Sequence, residues 1–131
     1  MRTLILASIA ASAFAVAPAG AMGEEEDSPR CLRMTNINSY SVIDREHVVF
    51  RGGASRHYLA TMRHRCPDLN FGIQIATSFG SNATICHPVV EFITPQNGFR
   101  CAIDTIEQVD SMDEARALIA ERAEAEAESQ E

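Results

Sequence analysis

The segment Gly98-Phe99-Arg100-Cys101-Ala102-Ile103-Asp104-Thr105-Ile106 sets the reading of the whole chain. It follows Pro95-Gln96-Asn97-Gly98, the strongest turn signal in the sequence, because Asn-Gly supplies the positive φ angles of a tight hairpin. It therefore reads as the closing strand of a small β domain, from Phe99 to about Val109. Arg30-Cys31-Leu32-Arg33-Met34-Thr35-Asn36-Ile37 echoes it, opening on Arg-Cys and ending on isoleucine. We read that stretch as the opening strand.

Between these two runs the turn signals recur about every ten residues. His47-Val48-Val49-Phe50 reads as a strand, Gly52-Gly53 as its turn and His57 to Met62 as the return. Cys66-Pro67 breaks that run, since proline removes a backbone donor and disfavours helix before it. Phe71 to Ser78 alternates, with Phe71, Ile73 and Ile75 on one face. Thr84-Ile85-Cys86 and Val89 to Ile93 form a further strand region, interrupted at His87-Pro88. The class is mainly β: a small antiparallel barrel or sandwich of five to six short strands with a C-terminal helix.

The ends differ from this middle. Residues 1–21 read as a cleaved export signal: Arg2, an apolar run from Leu4 to Val16, and Ala19-Gly20-Ala21 as a small-x-small cleavage site. About 13 apolar residues are too few to span roughly 30 Å of hydrocarbon, and no transmembrane segment is expected in the mature chain. Residues 22–29 read as a disordered acidic leader, and 30–110 as the disulfide-stapled β domain. Ser111-Met112-Asp113-Glu114 has the form of a helix N-terminus, giving a helix over 111–122 with a stripe of Met112, Ala115, Leu118 and Ile119. Residues 123–131 read as an acidic flexible tail. Export places the protein in the periplasm or outside the cell after cleavage near Ala21.

The formal charge is −7 and unevenly spread. Residues 30–66 hold seven arginines against Asp44 and Glu46, whereas 67–131 hold twelve acids against three arginines. An acidic chain of this kind argues against nucleic acid as a partner. Cys31, Cys66, Cys86 and Cys101 are an even set in a small exported domain, which favours two disulfides. Pairing Cys31 with Cys101 and Cys66 with Cys86 follows if the first and last strands are neighbours; the rival is sequential, Cys31–Cys66 and Cys86–Cys101.

The order of these features carries a resemblance. Arg30-Cys31 with its strand, Tyr58-Leu59 running into Cys66-Pro67-Asp68-Leu69, then Ile85-Cys86, then Arg100-Cys101-Ala102-Ile103 and an acidic helix start recur together. Over roughly residues 30–119 the chain resembles a family of small exported proteobacterial proteins of unknown function with four spaced cysteines. The resemblance implies export, a compact cysteine-bearing domain and no established activity.

Cysteine spacings of 35, 20 and 15 residues fit neither a redox pair two residues apart nor a zinc knuckle. His64 and His87 flank Cys66 and Cys86, so a Cys66–Cys86 bridge brings their imidazoles together as weak metal candidates. No metal, cofactor or catalytic residue is assigned, and no enzyme is expected. The alternative is a small metal-dependent or hydrolytic enzyme using His64 and His87. Arg45, Arg51, Arg56, Arg63 and Arg65 flank the proposed hairpin. Three readings of them stay open: they bind an acidic protein or anionic envelope component, they are covered by the chain's own acidic leader or helix, or they form a solvated face. The expectation taken forward is a non-catalytic binding or accessory module of the cell envelope.

Overall fold

The computed structural model describes residues 31–96 and 98–130. The expected signal peptide and acidic leader lie outside them. Eight strands and one helix follow in order: β1 Cys31–Met34, β2 Ser39–Val42, β3 His47–Arg51, β4 His57–Met62, β5 Ile75–Thr77, β6 Ala83–Cys86, β7 Phe92–Pro95, β8 Cys101–Val109 and α1 Met112–Ser129. Six strands form a curled antiparallel half-barrel in the order β2-β3-β4-β8-β7-β5, and β1 pairs with β6 in a separate ladder. The mainly β class with a C-terminal helix is therefore observed, as two sheets.

The inner face of the half-barrel holds the core, with Phe50, Tyr58, Met62, Ile93, Ile103 and Ile106 packed around Met34 and Leu69. On the outer face Val49, Leu59 and Val109 receive Ala115 of α1, flanked by Met112, Leu118 and Ile119. The two edge strands are tied across the barrel's gap by one phenol: Tyr40 Oη accepts from Ile75 N at 2.9 Å and lies 3.5 Å from Ile73 O.

Local chemistry explains most boundaries. The β3–β4 hairpin forms where expected, but its glycines do not supply the positive φ angles; Ala54 (φ 59°) and Ser55 (φ 58°) do. Gly52 has φ −118° and is needed for close approach, since a Cβ there would sit 2.5 Å from Thr35 O. The Phe71–Ser78 strand shrinks to β5. Gly72 (φ +79°) and the turn bond from Ile73 N to Asn70 O at 3.1 Å break the alternation. Phe71, expected in the core, is 89% exposed. Gly98 N donates to Pro95 O at 3.0 Å, closing the turn before β8.

The helix starts as read. Ser111 Oγ accepts from Glu114 N at 3.1 Å, and Glu114 reaches back to Asp110 N. It runs on to Ser129 rather than ending near Arg122. The Ala-Glu repeat has nothing to bury, but its intrinsic helix preference is high enough to propagate a helix already anchored at its other end.

The disulfides correct the sequence reading. Cys31 bridges Cys86 and Cys66 bridges Cys101, so neither Cys31–Cys101 with Cys66–Cys86 nor the sequential set forms. The first and last strands touch but are not paired in one sheet. β1 lies against β6, where Cys31 and Cys86 are register partners. β8 lies between β4 and β7, which sets its first residue, Cys101, beside the segment leaving β4. Two closed bridges point to a compartment outside the reducing cytoplasm. No helix among the described residues is long and apolar enough to cross a membrane.

Four outcomes test this architecture. Non-reducing peptide mapping should give the Cys31–Cys86 and Cys66–Cys101 peptides. Mild reductant should open the exposed Cys31–Cys86 bridge before Cys66–Cys101, whose Cys66 is 1% exposed. Loss of the latter, which closes 35 residues, should cost about 4 kcal/mol in chemical denaturation. Tyr58 is fully buried and its hydroxyl has no hydrogen-bond partner. Tyr58→Phe should therefore hold or raise stability, by up to about 1 kcal/mol; a loss above that would reveal a partner for the phenol.

Candidate functional site

The main concavity is a cleft of about 660 Å³ on the outer face of the half-barrel. Its floor is the cross-strand pair His47 and Thr61. The β2–β3 turn, residues 43–46, makes one wall, and Ile119, Arg122, Ala123 and Glu126 of α1 make the other. Arg65, Leu69 and Phe71 of the loop after β4 close the third side.

Each wall is held by identifiable bonds. Asp44 organises the turn: one carboxylate oxygen accepts from Glu46 N at 2.7 Å, and both lie within 2.9 Å of His47 Nδ1. A carboxylate only accepts, so Nδ1 carries the proton in this contact. The loop after β4 is tied to the same turn through Met62 N to Glu46 O and Cys66 N to Arg45 O, both 2.8 Å. The helix wall is pinned by a two-pronged ion pair, Arg122 to Glu107 of β8, at 2.8 and 3.0 Å. Hydrogen bonding to Glu107 holds the Arg122 guanidinium above its ordinary pKa. At roughly half exposure this pair orients the helix more than it stabilises the fold.

The five arginines do not share one face. Arg51 and Arg56 sit at the turn end of the β3–β4 hairpin, where Arg56 donates to Thr35 Oγ1 at 3.1 Å. Arg45, Arg63 and Arg65 sit at its open end, about 13 Å away by strand rise. Arg63 donates to Val89 O at 2.8 Å. Arg45 and Arg65 enter the cleft, and neither forms an ion pair among the described residues, although Glu46 and Glu126 line the same space. Among the described residues no acid of α1 is ion-paired to either arginine.

The histidine pair meets a different fate. Cys66 and Cys86 go to separate bridges, so the contact meant to bring His64 and His87 together does not form. His64 lies in a smaller cleft beside Cys101, and His87 follows β6. Among the described residues no three His, Cys, Asp or Glu side chains are grouped to hold a metal ion.

Residues passed over in the sequence matter more. The Asp44–His47 contact depends on the three-residue return of the β2–β3 turn. Thr61 Oγ1 is buried at the cleft floor without a hydrogen-bond partner. It makes no bond to His47, so Asp44, His47 and Thr61 are not joined as a proton relay. The arrangement instead offers two cations, an oriented imidazole and an exposed aromatic ring around a groove.

The sequence profile of a family of unknown function, DUF6491, matches residues 1–126. The chain belongs to that family. The match takes in all four cysteines and most of α1, so both bridges and the cleft of this DUF6491 protein lie within the family's span. No curated protein and no solved structure matches the chain.

Because the Thr61 hydroxyl has no partner to lose, Thr61→Val should leave thermal stability within about 1 kcal/mol of the parent, or raise it. A larger loss would show that Thr61 is bonded in solution.

Proposed function

We propose that this protein is a non-catalytic binding or accessory module of the cell envelope, and that the cleft under α1 holds an acidic partner. The observation that carries this reading is the pair Arg45 and Arg65. Both residues line one groove with Phe71, and no carboxylate is ion-paired to either among the described residues. An acidic partner segment would supply the carboxylates, and Arg favours such contacts because its planar fork meets a carboxylate with two bonds. Export with cleavage near Ala21, to the periplasm or beyond, belongs to the same proposal. It is supported by the apolar stretch at residues 4–16 and by two disulfides that a reducing compartment would not maintain.

Arg45→Glu with Arg65→Glu should reduce capture of the partner from envelope extracts at least tenfold, or about 1.4 kcal/mol. Arg51→Glu with Arg56→Glu, at the other end of the hairpin, should leave capture unchanged. Equal effects of the two pairs, or none from the first, would remove the cleft from consideration. Protein recovered from the periplasm should begin at Met22 by intact mass; an unprocessed chain would remove the export step.

A further inference from the structure

The last residue of α1 that packs in the outer core cluster is Ile119, yet the helix continues to Ser129, about 15 Å further at 1.5 Å per residue. Arg122, Ala123 and Glu126 of this distal half look onto the cleft of their own chain. At 3.6 residues per turn, Glu121, Glu124 and Glu128 fall in one row within about 60° of each other, on the opposite side of the helix. All three are exposed, and none is ion-paired among the described residues. Like charges at such spacings oppose the helix, and cations from outside would relieve them. Ala117 and Ala125, both exposed, border the row and keep its profile low.

One chain thus carries an acidic row that points away from its body and a groove whose Arg45 and Arg65 have no ion-paired acid among the described residues. The row cannot turn into its own groove, because Ala115 and Ile119 hold the other side of the helix to the sheet. A second copy can present it. We propose that two copies of this chain associate about a two-fold axis, each laying the row Glu121, Glu124 and Glu128 into the groove of the other. This inference rests on the cleft's taking an acidic segment, and names that segment. Groove and helix share the outer face of the half-barrel, so the two helices lie side by side between the two sheets. A cleft of about 660 Å³ holds roughly one and a half turns of a helix ~10 Å across, which suits a row of this length. Carboxylates of the row meet Arg45 and Arg65, and the alanines beside it cover Phe71, which is 89% exposed in a single copy. Two-fold symmetry forms every contact twice. Each copy has a net charge of −7, so the two repel at long range until salt screens them beyond about 8 Å. Association is therefore weak and needs both grooves filled.

Sedimentation equilibrium of the protein in the form recovered from cells, up to the millimolar range, should show a monomer–dimer equilibrium at physiological salt that is lost at molar salt. Glu121→Arg with Glu124→Arg and Glu128→Arg, and separately Arg45→Glu with Arg65→Glu, should each weaken dimerisation at least tenfold, with helix content and disulfide map unchanged. The two variants mixed should form a heterodimer, because each then meets a helix row and a groove of opposite charge. Rescue of this kind is not given by damage to the fold. A parent that stays monomeric at millimolar concentration overturns the proposal, as does a dimer untouched by either charge reversal, or the absence of a mixed dimer. The two readings of the cleft fail separately. If the parent is monomeric while Arg45→Glu with Arg65→Glu still loses the envelope partner, the groove takes an acidic segment of another protein and this inference alone falls. If the dimer forms and is rescued by mixing while that pair leaves capture unchanged, this inference stands and the envelope partner at the cleft falls.

Discussion

Between Thr61 and Met62 of β4, the ladder to β8 shifts its register. Thr61 faces Thr105 and Met62 faces Ile103, which leaves Asp104 without an opposite residue. A bulge of this kind inserts one residue and resets which side of the sheet the following residues face. Ile103 and Ile106 are three apart, an odd spacing that places side chains on opposite faces of a regular strand. With the bulge between them, both enter the inner core. Glu107 and Val109 then follow on the outer face, where Val109 packs under α1 and Glu107 takes Arg122. The longest strand thus serves two layers, and the bulge is where it changes from one phase to the other.

The placement of both clefts follows. Past the bulge, the outer-face row His47, Thr61 and Thr105 lies beyond the apolar patch that α1 covers, so the helix's distal half overhangs a polar floor. Before the bulge, β8 begins at Cys101, and its bridge to Cys66 holds the loop after β4 against the start of β8. Arg63 N to Ala102 O at 3.0 Å continues that attachment beyond the regular ladder. A loop carrying Arg63, His64 and Arg65 in succession is therefore fixed at both ends of a short path. It cannot fold its charges away, and Arg65 is left on the ridge between the two clefts.

What the sequence showed clearly was local. The Ser111 cap and the β3–β4 hairpin each depend on residues within a few positions of one another, and each is present. The two bridges depend on which strands are neighbours, and that is a property of the whole sheet. The echo between Arg30-Cys31 and Arg100-Cys101 suggested a strand pairing that β1 does not make, because β1 leaves the main sheet to pair with β6. Phe71 misled for a related reason. Its alternation with Ile73 and Ile75 is good, but Gly72 at φ +79° turns the chain between them. The arginines were legible as a group in sequence and are two groups in space, since the hairpin that brings them close in number also holds its two ends apart. His47 drew no attention because its partner, Asp44, reaches it through a turn and not through a motif.

The distribution of charge gives the last step. An acidic protein disperses its few cations when they serve only solubility, because the acids already supply net charge. Here the helix keeps one arginine tied to Glu107, and Arg45, Arg63, Arg65 and Arg100 lie towards the end closed by Cys66–Cys101, none of them ion-paired to a carboxylate among the described residues. Gathering like charges is unfavourable in the isolated molecule, although solvent screens much of the cost. The same end carries Phe71 and Phe99 at 89% and 90% exposure, a second arrangement that water does not favour. Both features lie on segments held by the Cys66–Cys101 bridge. An acidic groove-binding segment would relieve the first at Arg45 and Arg65. Arg65, which lines both clefts, precedes the cysteine that closes this end of the molecule.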